Sequence, residues 1–89
     1  MPTVSFTSAL QRFLPVPPTQ VDCATVSEAL AVVFASRPTL RGYVLDDQGA
    51  LRRHVNVFVN GELVRDRARL SDPVGVNDDI YVFQALTGG

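Results

Sequence analysis

The 89-residue sequence contains no lysine and only one cysteine. A single cysteine excludes an internal disulfide framework and a four-cysteine iron–sulfur cluster. All eight basic residues are arginine, so copies of the chain could not be joined to one another through lysine side chains. The absence of lysine says nothing about whether the C-terminus is attached to a different molecule.

The sequence also lacks long apolar runs and a strong net charge. No stretch approaches the roughly 20 apolar residues of a membrane span, and no basic start followed by an apolar run resembles a signal peptide. The net charge of −1 gives no indication of bulk nucleic-acid binding. A chain of this length forms one domain. We therefore expect a cytoplasmic domain that binds neither membranes nor nucleic acids.

Alternating side chains and turn residues predict the first elements. Thr3 to Leu10 alternates as a half-buried strand does, and three prolines make Leu14 to Pro18 a loop. Gln20 to Cys23 is predicted to return as a second, hairpin-forming strand.

A helix is the strongest local prediction. Thr25-Val26-Ser27-Glu28 has the pattern of a capping box, and Pro38 limits the helix to about Ser36. One apolar stripe follows from helical spacing: Val26, Ala29, Leu30, Val33 and Phe34. Leu40 to Leu51 is predicted to be a connection with a turn at Asp46 to Gly49.

Three short strands are predicted in the second half. Val55 to Val59 alternates and leads into Asn60-Gly61, a strong hairpin signal, with Glu62 to Val64 as the return strand. A turn-rich crossing around Pro73 and a turn at Asn77-Asp78-Asp79 precede the last strand. That strand is predicted at Ile80 to Phe83.

The element order predicts an α+β fold, in which a mixed sheet of four to five strands packs on one main helix. The first and last strands would lie parallel in its centre. This is the ubiquitin-like β-grasp arrangement, inferred partly by analogy. Residues 1–83 would form the domain, and residues 84–89 a flexible C-terminal tail.

The tail ends in Gly88-Gly89. Without side chains, these residues can enter a narrow channel, and six residues reach about 20 Å. A terminal carboxylate attacks only a strongly activated electrophile, so a partner would have to do the chemistry on it. The alternative is a frayed terminus without function.

Strand parity predicts a second feature. If the valines of Val55 to Val59 face the helix, Phe58, Tyr81 and Phe83 face away from it. Clustered aromatic side chains on a small domain are typical of a docking patch, although single exposed apolar residues are also common.

The second half of the chain resembles a known family. Val55 to Glu62, the Asn77 to Phe83 region and the ending Ala85-Leu86-Thr87-Gly88-Gly89 resemble the MoaD/ThiS-like sulfur carrier proteins. The strand with its Asn-Gly turn and the preceding arginines is most similar to the CysO-type members, which supply sulfur for cysteine synthesis.

The resemblance implies a non-enzymatic carrier with no bound cofactor. A ubiquitin-activating-type adenylyltransferase would bind the body and use ATP to adenylate Gly89. A sulfur donor would then leave a thiocarboxylate there, which a sulfur-accepting biosynthetic enzyme consumes. Gly88 would allow threading, Leu86 and Thr87 would seat the tail, and the aromatic patch falls where family members dock partners. Molybdopterin, thiazole and cysteine remain open as destinations of the sulfur.

Other sites and functions are weaker interpretations. Cys23 and His54 could form a nucleophilic pair, but a core cysteine and a surface histidine are expected. No metal-ligand spacing is present. Arg65, Arg67 and Arg69 are expected to lie in a solvated loop. Two alternatives to the carrier remain: a ubiquitin-like modifier conjugated through Gly89, and a β-grasp interaction module without tail chemistry.

Overall fold

The structure, a computed structural model, describes residues 1–6 and 17–84. Within these residues the chain forms five strands and two helices. In chain order they are β1 (Thr3–Phe6), β2 (Thr19–Gln20), α1 (Val26–Ser36), α2 (Pro38–Val44), β3 (Val55–Val59), β4 (Glu62–Leu63) and β5 (Asp79–Gln84).

The strands form one mixed sheet in the order β2-β1-β5-β3-β4. The first and last strands are parallel, with Val4 beside Ile80, whereas the β1–β2, β3–β5 and β3–β4 pairs are antiparallel. The central parallel pair confirms the predicted β-grasp arrangement.

One face of the sheet packs against the helices to form the core. Alternate residues of the three inner strands are buried on this face, and the α1 stripe lies among them. Its strand members are Val4, Phe6, Val55, Val57, Ile80 and Val82. The predicted helical stripe is confirmed in full, since Val26, Ala29, Leu30, Val33 and Phe34 are all buried.

The second helix corrects the predicted connection at Leu40 to Leu51. Pro38 is in the first turn of α2, where its missing N–H costs no hydrogen bond. Leu40 and Val44 are four residues apart and both are buried in the core, as expected for one helical face. The turn that follows is confirmed, since the Asp46 carboxylate accepts from the amide of Gln48 at 2.8 Å and Gly49 has φ +85°.

The capping box is confirmed in part. Thr25 Oγ1 accepts from the Glu28 amide at 3.2 Å, as predicted. The Glu28 carboxylate, however, accepts from the amide of Ala24 at 2.8 Å and not from that of Thr25. Thr25 itself lies in a short antiparallel bridge with Pro73.

Several strand boundaries differ from the predictions. The described part of the first strand is Thr3–Phe6, and residues 7–10 and 14–16 lie outside the described residues. β2 ends at Gln20, because residues 24–26 turn away to pair with residues 72–74. β5 extends one residue beyond the prediction at each end, and Gln84 pairs with Val55.

Candidate functional site: the outer sheet face and the end of β5

The outer face of the sheet carries the predicted aromatic patch. The β3–β5 register places Phe58 beside Tyr81, so both side chains project from the same face. Phe83 lies on this face next to Asn56. Tyr81 and Phe83 are each 40% exposed, and Phe58 is half-buried. The predicted orientation of the three aromatic residues is confirmed, and their role in docking remains a prediction.

This face has one further apolar member that was not predicted from the sequence. Leu63 pairs with Phe58 across the β3–β4 hairpin and is 52% exposed. The signal was present, because a two-residue Asn-Gly turn makes Val59 oppose Glu62 and therefore Phe58 oppose Leu63. We name the four residues Leu63, Phe58, Tyr81 and Phe83 the outer-face patch.

Arg67 corrects the prediction of a wholly solvated arginine loop. Its Nη1 donates to Asn56 Oδ1 at 2.6 Å, and its Nη2 donates to the carbonyls of Arg52 and Val55, each at 2.8 Å. The guanidinium thus ties the 65–70 loop to the start of β3, beside Phe83. Arg65 and Arg69 are exposed, as predicted.

Asp78 and Asn60 form a polar junction at the opposite end of the sheet. Asp78 accepts from the amide of Gly75 and from Asn60 Nδ2, both at 2.7 Å. Asn60 Oδ1 in turn accepts from the amide of Asp79 at 2.8 Å. The Gly75 bond, followed by the Asn60 bond, holds the pKa of Asp78 below its ordinary value. These contacts confirm Asp78 as a turn residue.

Cys23 and His54 do not come together. Cys23 is half-buried and packs against the core near the start of β1. Burial, with smaller contributions from Glu28 and Asp22, raises the pKa of its thiol, so the reactive thiolate is disfavoured. His54 is exposed and precedes Val55, which pairs with the far end of β5. The interpretation of Cys23 and His54 as a nucleophilic pair is therefore wrong.

The described part of the chain contains neither a metal-binding cluster nor a helix that could span a membrane. No group of three or more histidine, cysteine or carboxylate side chains is placed there to hold a metal ion. Within residues 1–6 and 17–84, neither helix has the length and apolar content needed to cross a bilayer.

The end of β5 sets where the predicted tail begins. Gln84 pairs with Val55 of β3, and it ends β5, which lies between β1 and β3 in the strand order. The chain therefore leaves the domain from a central strand and not from a sheet edge. Leu86, Thr87, Gly88 and Gly89 lie outside the described residues, and their roles remain predictions.

Comparisons with known proteins agree with this architecture. The ThiS family profile matches residues 16–89. Small archaeal modifier protein 1 of Haloferax volcanii is 35% identical over 66 residues, which cover 74% of this chain and 71% of that protein. The crystal structure of SAMP1 from Haloferax volcanii has a TM-score of 0.82 at 27% identity, over 99% of this chain and 98% of that chain.

A second solved structure shares the fold over the whole chain. A chain of the crystal structure of the Amycolatopsis orientalis BexX/CysO complex has a TM-score of 0.83 at 27% identity and covers 100% of both chains. The family profile spans most of the sequence, and the structural matches span nearly all of it. The chain therefore belongs to the ThiS family, which comprises ubiquitin-like sulfur carriers and small modifiers with the β-grasp fold.

Proposed function

We propose that this chain is a sulfur carrier whose Gly89 carboxylate is activated by a partner enzyme and converted to a thiocarboxylate. The observation that carries the proposal is the family match, because it extends through the Gly88-Gly89 pair. The position of Gln84 is consistent with it, since the preceding strand is fixed in the middle of the sheet. A fixed body followed by five residues allows a reach of about 17 Å into a partner.

The proposed chemistry has two steps. The Gly89 carboxylate attacks the α-phosphorus of ATP held by an adenylyltransferase, and pyrophosphate leaves as the acyl-adenylate forms. A sulfur nucleophile at the oxidation level of sulfide then attacks the acyl carbon, and AMP leaves. ATP is the partner's substrate, and we propose that the chain itself acts as the acyl group and not as the enzyme.

The body contributes recognition in this proposal. The outer-face patch presents four large apolar side chains on adjacent strands β4, β3 and β5, two of which are aromatic and 40% exposed. Apolar and aromatic anchors of this kind supply most of the free energy in protein interfaces. The proposed partners are the adenylyltransferase and a sulfur-accepting biosynthetic enzyme, in the cytoplasm.

The test is ATP–pyrophosphate exchange by the adenylyltransferase of the same organism. The wild-type chain is expected to support exchange, and a chain lacking Gly88 and Gly89 is not. A Tyr43→Ser chain, altered at an exposed residue of α2, serves as the matched control and should behave as wild type. Exchange that persists without the diglycine would contradict the proposal.

A second candidate keeps the activation step and changes the acceptor. The name of the Haloferax volcanii relative, small archaeal modifier protein 1, favours a modifier joined to amines of target proteins through Gly89. Intact-mass analysis of the chain isolated from cells separates the two candidates. A carrier shows a sulfur-for-oxygen replacement on the free chain, whereas a modifier appears in larger species containing an isopeptide bond.

A further inference from the structure

The two ends of the sheet differ in charge. β5 runs from Asp79, beside Thr3, to Gln84, beside Val55. Residues 52–54, which directly precede Val55, therefore lie at the same end of the sheet as Gln84, where the chain continues toward Gly89. We call this the tail end of the sheet and the other the Asp79 end.

Arginines are concentrated at the tail end. Arg52, Arg53 and His54 directly precede Val55, and Arg67 is fixed to the carbonyls of Arg52 and Val55. Arg52 is also held in place, because its Nε donates to the Gly42 carbonyl at 2.7 Å. Arg53 and His54 are exposed. The tail end thus has three arginines, two of them anchored and one free to contact a partner.

The charges of the anchored arginines are not neutralised by these contacts. In the described part of the chain, the hydrogen bonds of the Arg52 and Arg67 guanidinium groups all end on neutral carbonyl or amide oxygens. Asp46, which is near Arg52 in sequence, accepts from backbone amides of its own turn. Asp66, the neighbour of Arg67, accepts from the amides of Ala68 and Arg69 and from the Ser71 hydroxyl. Asp47 is exposed in the same turn as Asp46.

Carboxylates are concentrated at the Asp79 end. Asp78 and Asp79 begin β5, and Glu62 pairs with Val59, the neighbour of Ile80. Asp22 follows Val21, whose amide donates to the Pro2 carbonyl. A chain with a net charge of −1 therefore presents a basic surface where its tail leaves. Such local fields guide association even when the net charge is small.

We infer that Arg52, Arg53 and Arg67 form a docking surface for an acidic protein surface at the entrance of the site that receives the tail. The inference rests on the proposed function, and it names the chemistry of the partner's contact. Any protein that reaches Gly89 through residues 85–89 must approach within about 17 Å of Gln84. The rim of that protein's tail-binding site then faces these arginines, whose guanidinium groups bind carboxylates well. Three arginines on an acidic chain do not suit a nucleic acid.

The first test measures KM for the chain in ATP–pyrophosphate exchange with the adenylyltransferase of the same organism. Arg53→Glu reverses a free charge at the tail end without removing an anchored bond. It is expected to raise KM about tenfold at low ionic strength with kcat unchanged, and the effect should shrink in high salt. Arg53→Lys keeps the charge and should stay within about twofold of wild type.

Arg65→Glu is the matched control. Arg65 is also exposed, but its amide is bound by Asp72 and it lies by the cavity lined by Asn60, Glu62 and Asp78, toward the Asp79 end. The same charge reversal there should leave KM within about twofold of wild type. Equal KM values and equal salt dependence for Arg53→Glu and Arg65→Glu would overturn the inference.

A second test does not depend on the proposed function. A hexaglutamate peptide, titrated into the isotope-labelled chain at low ionic strength, should shift the amide resonances of Arg52 to Val55 most, and Arg53→Glu should abolish these shifts. Larger shifts of the same amides with tripolyphosphate or a short DNA duplex would overturn the choice of an acidic protein surface. Absence of exchange with wild type alongside intact peptide shifts would contradict the proposed function while supporting the basic docking surface.

Discussion

Asp78 illustrates how single side chains fix the start of the central strand. Its carboxylate closes the turn from Gly75 and is bridged by Asn60 to the β3–β4 hairpin. Asn60 also accepts from the amide of Asp79, the first residue of β5. Two segments of the chain, the turn at residues 75–79 and the β3–β4 hairpin, therefore meet at one carboxylate, and the ionised form is favoured because it accepts two hydrogen bonds.

Asn60→Gly tests this junction. Asn60 has φ +52°, a conformation that glycine adopts without strain, so the turn should persist while the side-chain amide is lost. The pKa of Asp78 is expected to rise toward its ordinary value but to stay below it, because the Gly75 bond remains. A carbon-13 NMR titration of the carboxyl groups measures this, with Asp66, whose pKa is lowered chiefly by the Ser71 hydroxyl, as the internal control.

The sign of the linked stability change follows from the depressed pKa. The contribution of Asp78 to the free energy of unfolding is complete at a pH above the pKa of an unfolded aspartate. It is lost as the pH falls through the pKa of Asp78 in the folded protein. The free energies of unfolding of wild type and Asn60→Gly should therefore differ most near neutral pH and less in acid, where the loss of the bond from the Asp79 amide remains. An unchanged Asp78 pKa in the variant would show that Asn60 does not stabilise the carboxylate.

Arg67 shows where residue-level prediction from the sequence fails. Its run of alternating arginines is typical of a solvated loop, yet its guanidinium binds Asn56 and two carbonyls, 11 to 15 positions earlier in the chain. Such contacts depend on how the loop returns over the sheet, which no local pattern encodes. Asp78, in contrast, was correctly predicted as a turn residue, because its first partner lies three positions away.

At the level of elements, strong local signals were sufficient for prediction and weak ones were not. Asn60-Gly61 predicted the hairpin because both residues adopt positive φ, at +52° and +84°, as the tight turn requires. The second helix was missed because seven residues contain only two buried positions, Leu40 and Val44. Pro38 was correctly interpreted as the limit of α1, which ends at Ser36, but its position as the first residue of the next helix was missed.

The start of α1 supports a quantitative prediction. Thr25→Ala removes the hydroxyl that accepts from the Glu28 amide and should lower the free energy of unfolding by about 1 kcal/mol. Thr25→Ser keeps the hydroxyl acceptor and should retain most of the stabilisation that the cap provides. Urea unfolding measures both, and Thr39→Ala, at an exposed position in α2, is the control for loss of a threonine elsewhere. A Thr25→Ala midpoint equal to that of Thr39→Ala would contradict a capping role.

At the level of the whole molecule, the sheet separates three tasks. Its inner face forms the core, its outer face bears the outer-face patch, and Arg52, Arg53 and Arg67 lie at its tail end, at the start of β3. Strand parity predicted the outer face because the alternation of Val55, Val57 and Val59 fixed which side was buried. The biosynthetic enzyme that the proposed carrier would serve could not be predicted, since that choice depends also on residues of the accepting enzyme.

The division between faces predicts that recognition and stability respond to different substitutions. Replacing Tyr81 and Phe83 with serine removes two side chains that are each 40% exposed and project away from the core. Loss of aromatic anchors from an interface costs roughly 1–2 kcal/mol, so KM in the exchange assay should rise about tenfold or more. The free energy of unfolding should change much less than it does for a buried aromatic residue.

Val32→Ser is the matched control, because Val32 is 45% exposed on α1, on the opposite side of the sheet. An equal rise in KM for Val32→Ser would place the docking surface on the helices, and the outer face would then need another explanation for its aromatic residues.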